Sequence, residues 1–179
     1  ITLGAGQVVN FEALVKDNTG VATLQGTNAF ATTALNGGTL AIEGDMTTDT
    51  LSMGDGTTLS IDGTLGASGG LQTAVTGSAG ANTIVVAAGS TLRATGDLGA
   101  GADVVDLAGT LDIGGGTFDL GDGDDVFRTY DTTAVIGNLD AGAGNDVLDV
   151  VVDTGFTVPF GGLAGFESLG KSGGGTMQV

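Results

Sequence analysis

Short apolar stretches of about four residues alternate with polar positions along most of the chain, and Gly, Asp or Thr punctuates them. Residues 101–122 run GADVVDL, AGTLDI, GGGTFDLGD, and GTLAI (38–42), TTLSI (57–61) and STLRA (90–94) have the same texture. A period of two is the signature of strands. No segment has a helical period of useful length, and runs so rich in Gly, Thr and Val make poor helices.

The stretches repeat. Gly99-Ala100-Gly101-Ala102-Asp103 precedes VVDL, Gly121-Asp122-Gly123-Asp124-Asp125 precedes VFRT, and Gly142-Ala143-Gly144-Asn145-Asp146 precedes VLDV. Their aspartates stand 22 and 21 residues apart, and 21 before Asp103 stands Asn82, in GANTIVV. Three short strands per 21–22 residues predict one coil of a three-faced, right-handed parallel β-helix, an all-β solenoid of about 21–22 residues per coil. One coil cannot bury its apolar side alone, whereas a stack buries it continuously. The period predicts two inward columns: Ile84, Val105, Phe127 and Leu148, then Val86, Leu107, Thr129 and Val150. Between them Val85, Asp106, Arg128 and Asp149 should point outward, with Arg128 between two aspartates at ~4.8 Å per rung. About eight such coils would form a stack roughly 40 Å long, with unpaired strand edges at both ends.

Composition narrows the picture. The 179 residues suffice for one domain with a substantial core. Glycine accounts for 36 of them but without a period of three, which excludes collagen. Net charge is −17, from 21 acids against Lys16, Arg93, Arg128 and Lys171, which argues against nucleic acid or an anionic membrane as partner. Cys and His are both absent. That removes disulfides, thiolate metal sites and the usual general base. Carboxylate-based polysaccharide cleavage would need basic partners and aromatic platforms, and the expectation is a non-catalytic chain. The chain opens in mid-pattern at Ile1 and is expected to be a single β-helix segment, 1–179, of a larger protein.

The segment Leu14–Ile42 resembles the passenger-associated transport repeat of autotransporters. Lys16, Gly20, Leu24, Gly26, Asn28, Phe30, Thr33, Leu35, Gly38, Thr39 and Leu40 fit that repeat, while Asn18, Ala22 and Ala31 depart from it. FESLGKSGGGTMQV (166–179) aligns without gaps to FEALVKDNTGVATL (11–24) and looks like the start of a second copy. The chain then divides into a transport-repeat-like part (1–42), Gly-Asp-rich coils (78–153) and that second start (166–179). The resemblance implies a surface-exposed or secreted passenger of a Gram-negative bacterium, continuous with an outer-membrane β-barrel. Such passengers act in adhesion to host cell-surface or matrix proteins and glycans, or in bacterial aggregation by self-association. The alternative is a structural stalk that assists secretion and displays another domain.

The Gly-x-Gly-x-Asp copies also resemble the calcium-binding nonapeptide of repeat-in-toxin proteins, but lack its first glycine and recur every 21–22 residues rather than every nine. Asp103, Asp122, Asp124, Asp125 and Asp146 are therefore the candidate metal ligands, with calcium the candidate cofactor, because hard cations take carboxylate and carbonyl oxygens. The plainer reading is that Gly supplies left-handed turns and Asp local side-chain caps.

Overall fold

The computed structural model describes residues 1–3, 8–157 and 162–178. It is a parallel β-solenoid of about eight coils. Among the described residues the regular elements are strands, apart from one 3₁₀ turn at Ser68–Gly70, and the strand pairings are parallel.

Three faces wind around one interior. The first face stacks Thr39–Thr47, Thr58–Ile61, Thr83–Val86, Val104–Leu107, Val126–Tyr130, Val147–Val151 and Ser168–Ser172, each in register with the next where they pair. The second carries Thr64–Gly66 against the start of Thr91–Gly99, which pairs in turn with Thr110–Asp119. The third stacks Thr50–Met53, Thr73–Ser78 and the far ends of those same long strands. Thr91–Gly99 and Thr110–Asp119 each turn a corner inside one strand, with a register shift between Arg93 and Gly96.

Alternation decides the interior. Leu40, Leu59, Ile84, Val105, Phe127 and Leu148 form one unbroken column, and Ile42, Ile61, Val86, Leu107, Thr129 and Val150 another. Every one of them is buried. The second face adds Met46, Leu65, Leu92 and Leu111, and the third Leu51, Val75, Phe118 and Leu139. Each such side chain removed from water contributes ~1.5–3 kcal/mol, and stacking lets every coil share the gain with both neighbours. Both predicted inward columns are present, residue for residue.

The period is less uniform than expected. It is 21 or 22 residues from Thr83 through Val104, Val126 and Val147 to Ser168. It falls to 18 between Val21 and Thr39 and rises to 25 between Thr58 and Thr83. The differences lie in the corners. Thr47 and Thr50 are parted by two residues, whereas Ser68–Gly70 lengthens the equivalent corner between Gly66 and Thr73. Strand register follows from packing and backbone pairing, which a longer corner leaves intact.

The transport-repeat-like segment supplies interior and corner residues. Leu24, Phe30, Leu35 and Leu40 are core, and Asn28 and Thr33 are buried polar side chains. Lys16 is buried too, its ammonium donating to the carbonyls of Asn18 and Gly37. The two aligned stretches lie on different faces: Ala13–Lys16 pairs with Thr32–Leu35 on the third, Ser168–Ser172 with Val147–Val151 on the first. Their lysines still share a local bond to the carbonyl two residues on, Lys171 reaching Gly173 at 2.7 Å.

Candidate functional site

The Gly-Asp-rich corners stack directly on one another. Ala100, Asp122 and Ala143 are joined by parallel bridges, with the N–H of Asp122 donating to Gly99 and that of Gly101 to Asp122. The path leaves no room for a side chain at its glycines. Gly121 has φ +108°, and a Cβ there would stand 1.9 Å from the carbonyl oxygen of Gly99; Gly142 meets Gly121 in the same way.

Two columns of carboxylates come from these corners, and they differ in kind. Asp103, Asp125 and Asp146 occupy the position just before the first-face strand and are buried. Each reaches back one coil: the N–H of Asn82 donates to Asp103 Oδ1 at 2.5 Å, that of Asp103 to Asp125 Oδ1 at 2.7 Å, and that of Asp125 to Asp146 Oδ1 at 2.8 Å. Glu167, itself exposed, continues the series by accepting from the N–H of Asp146 at 2.8 Å. The Oδ2 atoms of all three aspartates are buried and find no hydrogen-bond partner among the described residues. Burial pushes the carboxyls of Asp103 and Asp125 up to about 6 and that of Asp146 in the same direction, while the donated N–H bonds pull the other way.

The second column is Asp97, Asp119 and Asp140, where the third face ends. Each makes a local cap, accepting from the N–H two residues on, at Gly99, Gly121 and Gly142. Asp97 and Asp119, with Asp122, line a shallow groove of about 450 Å³. Burial raises the Asp119 carboxyl, and Asp97, Asp140 and Asp122 add to the effect by charge repulsion.

The five aspartates expected to hold calcium are thus divided. Asp103, Asp125 and Asp146 face inward as caps between coils, whereas Asp122 and Asp124 are exposed. Asp124 is occupied by the N–H and side-chain amide of Asn145, which lower its carboxyl pKa. Among the described residues no group of three or more acidic side chains is arranged to hold a metal ion. The role expected of the aspartates in the Gly-x-Gly-x-Asp copies is corrected in one respect. Local caps come from Asp97, Asp119 and Asp140, which sequence reasoning had not singled out, and the repeat aspartates cap the neighbouring coil instead.

The bases sit in ladders and turns. Arg128 lies 3.6 Å from Asp106 and 2.9 Å from Asp149, as its column predicts, and Arg93 lies 3.5 Å from Asp112. No protein-family model, curated protein or solved structure matches the chain.

Proposed function

We propose that this chain is a non-catalytic segment of a surface-exposed autotransporter passenger, acting through its outer faces in adhesion to host cells or matrix, or in aggregation of the bacteria that display it. The observation behind the reading is the third face. Its outward positions over four successive coils are small: Ala13, Thr32, Thr50 and Ala74 in one column, Val15, Ala34, Ser52 and Thr76 in the next. A flat, regular surface of this kind suits a broad partner such as a matrix protein, a glycan or a second copy of the chain. The resemblance of Leu14–Ile42 to a transport repeat supports placement outside a Gram-negative cell, anchored at the outer membrane or released.

The test is binding of the purified chain to immobilised matrix proteins and glycans, together with clumping of cells that display it. Replacing Thr32, Thr50 and Thr76 by Lys should abolish either activity while leaving the fold intact. Undiminished binding would remove the third face from consideration.

A specific observation favours a second reading, a stalk that aids secretion and holds another domain outward. Coil-to-coil bonding runs along the corners as well as through the sheets, which stiffens the stack. That reading expects no binding by the segment, and impaired secretion when 14–42 is deleted.

A further inference from the structure

We propose that Asp103, Asp125 and Asp146 form a proton-binding column that makes the solenoid more stable in mildly acidic surroundings than at neutral pH.

The geometry carries the argument. Each Oδ1 is pinned by an N–H of the preceding coil, so the carboxylate cannot turn toward water without uncapping that coil. Each Oδ2 is buried and unpartnered among the described residues. Three such groups one above another stand about a rung apart, ~4.8 Å, where like charges repel. A buried, half-satisfied, unpaired anion is costly, and taking up a proton relieves it. The same column position already holds neutral side chains earlier in the stack, Thr57 and then Asn82, whose amide donates to Gly54.

The charged groups facing the column offer no relief. Asp97 acts on Asp103, Asp124 on Asp125 and Asp146, and Asp140 and Glu167 on Asp146, all in the direction of protonation. Arg128, the base nearest in sequence, is turned outward and engaged by Asp106 and Asp149.

The sign follows from the raised carboxyls. A group with a folded pKa of about 6 and an ordinary value of 3.8 holds its proton more tightly when folded. Its contribution to stability is full below 3.8 and is lost as pH rises through about 6. Between pH 7.5 and pH 5 each such aspartate should raise the folding equilibrium constant about tenfold.

The experiment compares melting midpoints at pH 7.5 and pH 5, at constant ionic strength, for the whole chain and two triple variants. One carries Asp103→Asn, Asp125→Asn and Asp146→Asn. The control carries Asp45→Asn, Asp49→Asn and Asp62→Asn at exposed positions. The native chain and the control should melt several degrees higher at pH 5, and the column variant should lose most of that gain. A similar gain in all three proteins would overturn the proposal, because general relief of acidic repulsion would then explain it. Side-chain carbon NMR of the native chain supplies a second reading independent of variant folding: Asp103 and Asp125 titrating near pH 6, with Asp146 also raised, are expected, and all titrating in the ordinary carboxylate range would refute it. Melts at pH 7.5 with calcium chloride or a chelator complete the set. No difference supports a proton as the neutralising species. A large rise with calcium that removes the acid response would assign the column to a cation instead.

Discussion

Asp125 accepts the backbone N–H of Asp103 at 2.7 Å, across a gap of 22 residues in sequence and one rung in space. A repeat aspartate thus finishes the coil before its own. The bond is buried, and no backbone carbonyl takes its place in the corner.

Removing that acceptor should cost more than neutralising it. Asp125→Ala leaves the Asp103 N–H buried and unpaired, and is expected to destabilise the chain by about 1–3 kcal/mol at neutral pH. Asp125→Asn keeps an acceptor and removes the buried charge, so at neutral pH it should be at least as stable as the native chain. Urea unfolding of the two variants provides the comparison, and equal losses would mean that the cap contributes little.

Adjacent residues on opposite sides of one strand make a direct test of register. Phe127 is buried and packs 6.4 Å, ring centre to ring centre, from Phe166, whereas Arg128 lies on the outer surface. Phe127→Ala should cost about 3–5 kcal/mol and Arg128→Ala no more than about 1 kcal/mol. A reversal of that order would show the strand turned over.

Gly121 is expected to tolerate no side chain. Alanine there would combine an unfavourable φ with a clash against the Gly99 carbonyl, and a loss of at least about 2 kcal/mol is predicted. Gly115, with open space around its added Cβ and no positive φ, should accept alanine with little change. Thermal melts of the two variants suffice.

At another corner acid has the opposite effect. Asp131 accepts from the N–H and hydroxyl of Thr154, at 2.9 and 2.7 Å, and these bonds hold its carboxyl below the ordinary 3.8. Its contribution is therefore present above pH 3.8 and lost as pH falls through the lowered value. The protection of the Thr154 amide, taken as its exchange rate relative to the intrinsic rate at the same pH, should fall at the acid end of that range in the native chain. In Asp131→Ala that protection should be low at every pH.

Much of the fold was legible because stacking makes it so. Val105, Phe127 and Leu148 recur at one spacing for the simple reason that each lies over the last. The Arg128 ladder was legible on the same grounds. The 18- and 25-residue coils were not, because corner length is free to vary without disturbing any column. The site was harder. Asp125 looks like a turn residue beside Asp122 and Asp124, and nothing local separates the one facing inward from the two facing water. The available signal was register: Asp125 shares its place with Asn82 and Thr57, one step ahead of strands whose alternate residues are buried.

The extra turn at Ser68–Gly70 carries an engineering corollary. It protrudes at a bend with Leu71 exposed, while the ladders on either side close as if it were absent. A foreign peptide spliced in at that loop would be carried on the rim of the rod, leaving the cross-section of the coils above and below unchanged.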